Sequence, residues 1–336
     1  MSKHILVVGG AGYIGSHIVR QLSFESNNKV TIVDNLCGGN FDSISVLKKF
    51  FHEENFEFIN LDISNFKKVE ELFEHNTFYA VIHLAAHLQV GESVQNPLKY
   101  YMNNTINTAN LIRCCEKYGV NKFIFSSKAA VYGEPKVISI GENTTTNPIN
   151  PYGMSKLMSE QVLKDMAKAN KNFKYVILRY FNVAGGSDDN MLGECHVPET
   201  HLIPLVVHTA LGKRDKIMMF GDDYPTPDGS CIRDYVHVED LASAHLKALE
   251  YLTEGDESDV FNCGYGHRYS VKEVIQMVKK VSGVDFKVEV VERREGDPSE
   301  LIADNKKIID KMGWKPEYDC LELICQSALK WESTIV

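Results

Sequence analysis

The stretch KHILVVGGAGYIGSH, residues 3–17, decides the fold. Its apolar half, Ile5–Val8, is typical of a buried strand, and the residues after the loop repeat apolar positions at helical spacing. Between the two lie Gly9, Gly12 and Gly15, which permit a tight turn and a close backbone approach to a pyrophosphate at a helix N-terminus. An ordinary strand-to-helix turn is the alternative, so the rest of the chain has to decide.

Strands and helices alternate through the first half of the chain. Such alternation indicates right-handed βαβ units, and it predicts an α/β fold built on a Rossmann-type doubly wound parallel sheet. The predicted strands are Ile5–Val8, Val30–Val33, Phe56–Asn60, Ala80–Leu84, Lys122–Ser126 and Tyr175–Tyr180, and the predicted helices lie near 43–51, 66–75, 97–118 and 151–168.

The pattern loosens after Asn182, where residues 183–235 are rich in Gly, Pro, Asp and His. We expect an NAD-binding Rossmann domain over residues 1–181 and a smaller α+β C-terminal substrate domain over 182–336. Some later segments, near 235–265, are expected to return to the first domain. The cleft between the two parts is the expected ligand site. Further helices are predicted near 239–252, 270–282 and 319–332, and further strands near 258–262 and 286–291.

An acidic residue ends the second predicted strand, which reads VTIVDN. The carboxylate of Asp34 is placed to accept both hydroxyls of an adenosine ribose, and its charge repels a 2′-phosphate. No arginine follows immediately, so the sequence favours NAD over NADP. Asp62, at the end of the third strand, is expected either to bind the adenine amine or to cap the next helix.

The pattern Y-x-x-x-K occurs three times, and only Tyr152 and Lys156 lie inside one predicted helix, where residues four apart share a face. The pairs that begin at Tyr118 and Tyr132 are interrupted by glycine or proline. Tyrosine has an ordinary pKa of about 10. A neighbouring ammonium and a positive nicotinamide ring would lower that pKa and create a usable base. A surface tyrosine on an amphipathic helix is the alternative.

Composition excludes several classes of protein. The 336 residues are 44% hydrophobic, which is enough for a large core, and the net charge of -9 without a long basic run argues against nucleic acid as a partner. The start of the chain lacks a signal-peptide pattern, and no apolar run reaches the ~18 residues of a membrane span. The eight cysteines form no C-x-x-C pair, which predicts free thiols in a reducing cytoplasm.

These features resemble the extended short-chain dehydrogenase/reductase superfamily and, within it, the UDP-glucose (UDP-galactose) 4-epimerases. The resemblance covers nearly the whole chain, and the block from Phe220 to Ala242 is its most specific part. The stretches that carry it are GGAGYIGSH, DNL, HLAA, VGESVQNPLKYY, NPYGMSKLMSE, LRYFNVAG, FGDDYPTPDGSCIRDYVHVEDLA and RREGDPSELIADNKK.

The resemblance implies an isomerase with tightly bound NAD that is regenerated in each turnover. Tyr152 would take the proton of the sugar 4-hydroxyl, and a transient 4-keto sugar would receive hydride on its other face. Lys156 would hold the nicotinamide ribose and lower the pKa of Tyr152. The expected cofactor-binding residues are Gly9, Gly12, Tyr13, Ile14, Gly15, Asp34, Asn35, Asp62, Ile63, Leu84, Ala85, Ala86, Asn103, Ser126, Tyr152, Lys156 and Tyr180.

The same resemblance implies that the second half of the chain binds a UDP-sugar. Asn182 would contact the diphosphate, and Arg233 and Arg294 would clamp it, because a guanidinium donates two hydrogen bonds to phosphate oxygens. Surface ion pairs are the plain alternative for both arginines. The expected substrate-binding residues are Lys128, Tyr152, Asn182, His201, Leu202, Met218, Phe220, Arg233, Tyr235, Arg294, Asp297 and Leu301.

A homodimer is also implied by the resemblance. The predicted helices near 97–118 and 152–168 would form a four-helix contact between two copies of the chain. Their apolar positions are equally compatible with packing inside one chain.

Three candidate metal ligands, His196, Glu199 and His201, lie close together in the sequence. They show no ordered frame and no fourth ligand, and a structural zinc site normally has four. No metal site is therefore predicted.

One residue, Lys128 in FSSKAAVYGE, departs from the family pattern. Family members carry serine or threonine there, and its hydroxyl bridges the sugar 4-oxygen and the catalytic tyrosine. Lys128 could donate a hydrogen bond to that oxygen itself, could weaken turnover, or could extend toward the UDP phosphates. We expect an epimerase framework with altered or reduced catalysis.

Three other functions are compatible with parts of the sequence. A nucleotide-sugar 4,6-dehydratase would need a carboxylate pair where Ala129 and Ala130 stand. An epimerase of N-acetylated UDP-sugars, or one of dual specificity, stays open because Leu301 matches the position that gates the space beside the sugar C2 group. A protein that binds NAD and UDP-sugar without catalysis is favoured only by Lys128, and Tyr152 argues against it.

Overall fold

The first strand, β1, lies inside a seven-stranded parallel sheet with the order β12-β7-β5-β4-β1-β2-β3. The structure is a computed structural model, and it describes residues 3–294 and 298–335. The strands are β1 (Lys3–Val8), β2 (Asn28–Asp34), β3 (Phe56–Asn60), β4 (Ala80–His83), β5 (Lys122–Lys128), β6 (Ser139–Ile140), β7 (Lys174–Tyr180), β8 (Asn182–Ala184), β9 (Ile217–Phe220), β10 (Ile232–Arg233), β11 (Tyr235–His237), β12 (Asp259–Cys263), β13 (Tyr269–Ser270), β14 (Val288–Val291) and β15 (Glu300–Ala303).

Helices cover both faces of the seven-stranded sheet and fill the C-terminal part. Among the described residues, none of them is long and apolar enough to cross a bilayer. The helices are α1 (Tyr13–Leu22), α2 (Phe41–Leu47), α3 (Phe66–His75), α4 (Val90–Gln95), α5 (Pro97–Tyr100), α6 (Asn107–Tyr118), α7 (Pro151–Ala169), α8 (Leu202–Ala210), α9 (Val238–Glu254), α10 (Val271–Ser282), α11 (Lys306–Met312) and α12 (Leu321–Glu332).

Alternate side chains of β1 enter two different cores. Ile5 and Val7 pack with residues of α1 and α9 on one face, whereas Leu6 and Val8 pack with residues of α3 and α6 on the other. All four are at most 1% exposed. A parallel sheet buried on both faces reads as such a continuous apolar run, and the predicted doubly wound Rossmann-type fold is confirmed.

The C-terminal part contains smaller sheets. One has four strands in the order β13-β10-β15-β6, and two more have the pairs β11-β8 and β14-β9. Helices α8, α10 and α12 pack together beside them. The chain also returns to the first half, because α9 packs on α1 and β12 pairs in parallel with β7 at the edge of the large sheet.

Residues 97–118 differ from the single predicted helix. They form α5, a π-helical segment over Tyr101–Ile106, and α6. The π-helical turn is held by buried Asn104, whose Nδ2 donates to the backbone oxygen of His87 and to Ser155 Oγ. Such segments are frequent at functional sites because they turn side chains away from the regular helical faces.

Three other helices were not predicted, and one of them, α4, has only six residues. The segment that forms α8, LIPLVVHTA, is apolar almost throughout, so it has no amphipathic period to detect. Helix α11 has only seven residues, which is too few for a periodic signal.

A buried ionic network joins α7 to the sheet beneath it. Arg179 on β7 donates from Nε and Nη2 to the two carboxylate oxygens of Glu160 on α7, at 2.9 and 2.6 Å. The hydroxyl of Ser127 on β5 donates to Glu160 Oε1 at 2.6 Å. Arg179 Nη1 also donates to the hydroxyl of Tyr132, which in turn donates to Asn262 Oδ1 on β12. The buried ion pair therefore connects four elements, which are α7, β7, β5 and β12.

Replacing Glu160 by glutamine should destabilise the protein strongly. Glutamine leaves the Arg179 guanidinium buried without its counter-charge, and removal of one partner of a buried pair costs about 3–5 kcal/mol of unfolding free energy. Urea unfolding followed by circular dichroism measures the change.

Glu70→Gln is the matched control, because Glu70 pairs with Lys117 on the surface at 2.5 Å. That exposed pair should contribute little to stability, since water screens it. Equal losses in the two variants would contradict the role given to the buried pair.

Candidate active site

The loop between β1 and α1 is built so that only glycine fits at two positions. Gly9 has a φ of +88°, and a Cβ there would lie 2.6 Å from the backbone nitrogen of Ala85. A Cβ on Gly15 would lie 2.2 Å from the backbone oxygen of Gly9. The first turn of α1 can therefore pack closely on the loop, as a pyrophosphate cradle at a helix N-terminus requires.

Asp34 lies at the end of β2 beside this loop. Its Oδ2 accepts a hydrogen bond from the Ala11 nitrogen at 3.1 Å, and its Oδ1 accepts one from the Leu36 nitrogen at 2.8 Å. Burial raises the pKa of Asp34, and these two amides oppose that rise. The fixed carboxylate fits the ribose hydroxyls of NAD, because the strand end places it next to the phosphate cradle.

Asp62 lies next to Asn35, whose Nδ2 donates to Asp62 Oδ2 at 2.8 Å. The carboxylate also accepts from the Ser64 nitrogen at 2.8 Å. The helix N-cap that was the alternative for Asp62 is instead Asn65, because α3 begins one turn later than that alternative required. Asp62 is therefore a turn-stabilising acid on the wall of the cavity.

A single cavity with a volume of about 380 Å³ runs from the glycine loop to the end of β5. Nearly all the residues expected to bind the cofactor line it, including Asn103 on the π-helical segment. Those that do so are Gly9, Gly12, Tyr13, Ile14, Gly15, Asp34, Asn35, Asp62, Ile63, Leu84, Ala85, Ala86, Asn103, Tyr152, Lys156 and Tyr180.

Ser126 does not line the cavity. It is fully buried, and its hydroxyl donates to Nε2 of His245, whose Nδ1 is committed to the backbone oxygen of Leu241. Only the backbone oxygen of Ser126 points toward the site, where it accepts a hydrogen bond from Lys156 Nζ at 2.9 Å.

Tyr152 and Lys156 lie one turn apart on α7 and both line the cavity. The helix is started by Asn150, whose Oδ1 accepts from the Gly153 nitrogen at 2.9 Å, and by Pro151 in its first turn. Both side chains are buried, at 6% and 2% exposure. Cap and proline therefore fix where α7 begins, and hence where the pair faces.

The pKa values of this pair differ from the sequence expectation. Burial raises the pKa of Tyr152 well above its ordinary value, with Tyr180 and Tyr100 adding to the rise. Burial, followed by the charge of Lys128, lowers the pKa of Lys156 to about 7. The chain's own residues thus do not lower the pKa of Tyr152, because the phenol has lost its water and Lys156 is only weakly held in its charged form.

Lys128 is the last residue of β5 and lines the same cavity. Its Nζ donates to the backbone oxygen of Phe181 at 2.6 Å and lies 4.8 Å from the centre of the Tyr180 ring. Burial lowers the pKa of Lys128 to about 8, although the charge of Glu194 opposes this. The Lys128 amine is therefore held at the carboxyl end of β5. It is close enough to Lys156 to disfavour the charged form of the Lys156 side chain.

The residues expected to bind the UDP-sugar fall into three groups. Met218, Phe220, Arg233 and Arg294 do not line the cavity. Asp297 lies outside the described residues. Those that line the cavity are Lys128, Tyr152, Asn182, His201, Leu202, Tyr235 and Leu301.

The four residues outside the cavity have other partners in the described chain. Arg233 is buried, and its Nη1 donates to the backbone oxygen of Ile232 at 2.9 Å. The Arg294 guanidinium lies 4.4 Å from the centre of the Phe220 ring, and Met218 is 38% exposed. Their contact with substrate stays a prediction.

Several cavity residues were missed from the sequence. Glu194 is the most polar of them, and the run GECHVPETH, which holds it, was the signal that could have found it. His196 in the same run was considered only as a metal ligand, and it also lines the cavity. Others could not be read from one sequence because they contribute bulk or backbone. They include Cys37, Gly38, Gly39, His87, Leu88, Val90, Ala184, Ile203 and Pro204.

Comparison with known proteins agrees with this geometry. Residues 5–264 match the model of the NAD dependent epimerase/dehydratase family. The chain belongs to this family. Among curated members, a UDP-glucose 4-epimerase of Streptococcus mutans is 45% identical over 331 residues, which cover 98% of this chain and 97% of that protein.

Two solved structures of family members place the similarity in three dimensions. The UDP-Glc/GlcNAc 4-epimerase of Campylobacter jejuni is 55% identical, covers 98% of this chain and 99% of its own, and has a TM-score of 0.86. The UDP-glucose 4-epimerase of Bifidobacterium longum in complex with NAD+ and UDP is 36% identical, covers 99% of both chains, and has a TM-score of 0.92. These comparisons confirm the predicted family, the prediction that the protein is an NAD-dependent epimerase, and NAD as its cofactor.

Proposed function

We propose that this protein is a UDP-hexose 4-epimerase that interconverts UDP-glucose and UDP-galactose. The observation that carries the proposal is the placement of Tyr152 and Lys156 in the same cavity as the glycine loop and Asp34. An acid–base pair then faces the end of the site opposite the adenosine cradle. The names of the curated relatives, which are UDP-glucose 4-epimerases, support the choice of sugar.

In this proposal the chain moves one proton and holds two ligands in place. The Tyr152 phenol takes the proton of the sugar 4-hydroxyl and later returns it. Lys156 binds the nicotinamide ribose and stabilises the phenolate. Bound NAD supplies the hydride acceptor for carbon 4 and a positive ring that opposes the raised pKa of Tyr152. Buried walls exclude water from the reacting atoms, which strengthens each of these interactions.

Lys128 weakens this chemistry in two ways. It removes the hydroxyl that would connect the sugar 4-oxygen to Tyr152, and its charge lowers the pKa of Lys156. The hydrogen bond from its Nζ to the Phe181 oxygen holds the Lys128 side chain at the carboxyl end of β5. We therefore propose an epimerase with reduced turnover.

Lys128→Thr should raise kcat for conversion of UDP-galactose to UDP-glucose, followed by NMR. A restored hydroxyl in the proton-transfer path is expected to contribute up to about 10²–10⁴-fold. Lys128→Met is the matched control, because it removes the charge without adding a hydroxyl. In both variants the pKa of Lys156 should rise, so the high-pH limb of the kcat/KM profile should move to higher pH.

If the native chain and Lys128→Thr have equal kcat values, the Lys128 amine takes part in the mechanism. Tyr152→Phe sets the baseline, because it removes the proton acceptor while the cradle for NAD remains. If neither the native chain nor Lys128→Thr exceeds that baseline with UDP-galactose, the proposed substrate is wrong.

Dual specificity is the second candidate function, and Leu301 favours it. This residue lines the cavity on β15, in register with Arg233 on β10, and packs half-buried on the Phe181 cluster. Leucine leaves more room than tyrosine beside the sugar C2 group. The Campylobacter jejuni relative is named a UDP-Glc/GlcNAc 4-epimerase, which supports this extension.

Leu301→Tyr should therefore separate the two substrates. It should reduce kcat/KM for UDP-N-acetylgalactosamine at least tenfold, because the larger ring fills the space of the acetamido group, while UDP-galactose is affected less. Leu301→Met, which keeps the volume, is the control. Parallel losses for both sugars would rule out a gating role for this position.

We propose that two copies of the chain pair through the α5–α7 region. Leu98, Met102 and Ile106 are 72%, 56% and 39% exposed, and Met158 on the neighbouring helix α7 is 43% exposed. These four large apolar side chains are exposed on helical segments that pack against one another, and exposed apolar surface of this kind marks protein interfaces. Pairing of this face with itself in a second copy would bury it.

Leu98→Glu should turn a dimer into a monomer in light scattering after gel filtration, because a charge at the centre of an apolar contact is left unpaired. Phe24→Glu is the control, since Phe24 is 71% exposed on the loop after α1, away from this patch. If both variants keep the mass of the native protein, the interface lies elsewhere.

We place the protein in a reducing compartment such as the cytoplasm. All eight cysteines are free thiols, and five of them are buried in the core. Buried free thiols are typical of proteins that never meet an oxidising environment.

A further inference from the structure

The loop that enters α8 carries a cluster of histidine and carboxylate groups. It leaves β8, is closed into a hairpin by a bridge between Gly186 and Gly193, and continues through Glu194 to His201. The cluster consists of Glu194, His196, Glu199 and His201, and we call it the loop cluster. One potential ligand atom from each of its members lies within 4.8 Å of the others.

The distances inside the loop cluster are short. Glu194 Oε1 is 3.0 Å from Nδ1 of His196 and 2.6 Å from Nδ1 of His201. Glu199 Oε1 is 3.3 Å from Nδ1 of His201, and Glu199 Oε2 is 3.9 Å from Nδ1 of His196. Two imidazole nitrogens and two carboxylates thus converge on one point, which is a donor set that suits a zinc-class cation.

Two atoms of the loop cluster have no hydrogen-bond partner in the described chain. One is Oε2 of Glu194, a side chain that is only 4% exposed. The other is Nδ1 of His201, which is 2.6 Å from Glu194 Oε1 but is not aligned with it as a hydrogen bond. An unpaired carboxylate oxygen is costly to bury. A cation between the four groups would be bound by Nδ1 of His201 and would neutralise the charge of the buried Glu194 carboxylate.

The backbone around the loop cluster already orients its ligands. The nitrogens of Thr200 and His201 both donate to Glu199 Oε1, at 2.6 and 2.7 Å, which leaves Oε2 facing His196. The indole nitrogen of Trp331 donates to the backbone oxygen of Glu194 at 2.7 Å. Supporting contacts of this kind are what hold metal ligands in place.

We propose that the loop cluster binds one divalent cation of the zinc class as a structural site. Glu194 supplies the fourth ligand that the sequence alone did not reveal. With four protein ligands the site is closed, so the ion holds the loop rather than taking part in the reaction.

The position of the site shows what the ion would stabilise. Three of its ligands, Glu194, His196 and His201, line the active-site cavity. The ring of His196 packs edge-on against Tyr13, the first residue of α1, with 6.4 Å between ring centres. The Tyr13 hydroxyl donates to the Gly185 oxygen at 2.6 Å. The cation would therefore fix the loop from Gly185 to His201 against the cofactor cradle.

The first measurement is the metal content of the full-length protein, purified without a metal-affinity column and analysed by mass spectrometry of the elements. We expect about one zinc per chain from the four-ligand set. Chelator-treated protein should regain one Zn²⁺ in calorimetry, and Zn²⁺ should raise its Tm because it binds only the folded loop. Co²⁺ in its place should show the absorption of a tetrahedral site.

Variants make the test specific. His196→Ala and Glu199→Gln should each weaken Zn²⁺ binding at least 100-fold and abolish the rise in Tm. His267→Ala is the control, because His267 pairs with Asp319 on the surface and lies outside the loop cluster. Far-ultraviolet circular dichroism shows whether each variant has folded.

Two outcomes would overturn the proposal. The first is native protein without stoichiometric zinc that binds added Zn²⁺ no more tightly than His196→Ala. The second is a Tm rise that is the same in Glu199→Gln and in the native chain. In either case the loop cluster is an ion-pair network in which His201 is protonated. These readouts do not depend on activity, so they stand whether or not UDP-galactose is the substrate.

Discussion

The buried pair of Glu160 and Arg179 is the constraint on which the active site depends. Desolvating two charges is expensive, so such a pair adds little net stability, but the loss of either partner is strongly destabilising and the two groups must stay together. Here it fixes α7 against β7, and through Ser127 it reaches the strand that ends at Lys128. Tyr152, Lys156 and Glu160 follow one another at intervals of four residues, so a contact one turn beyond Lys156 on the same side of α7 sets the direction in which Tyr152 and Lys156 face.

Local patterns made the cofactor half readable from the sequence. Gly9, Gly15 and Asp34 are each required by a short-range feature, namely a turn, a close approach and a strand end. Tyr152 and Lys156 were chosen among three similar pairs because only they share one face of a helix. The strands of the large sheet were read well for the same reason, since a strand buried on both faces is a continuous apolar run. Seven strands of two to four residues are too short for such a run and were not predicted, namely β6, β8, β9, β10, β11, β13 and β15.

Features that depend on distant parts of the chain could not be read in this way. Ser126 faces a histidine of α9, more than a hundred residues away in the sequence, rather than the cavity. The raised pKa of Tyr152 follows from burial, which no local pattern reports. Arg233 and Arg294 were placed by resemblance alone, and the structure leaves both outside the cavity.

The edge position of β12 has a consequence for how the protein is made. While the ribosome is still completing residues 259–263, β7 has an open edge, and Tyr132 lacks the Asn262 oxygen to which its hydroxyl donates. The large sheet is therefore incomplete until residues 259–263, from the second half of the chain, have been synthesised. Until then the nascent chain carries an open strand edge of the kind that pairs with other chains, and it must keep that edge protected.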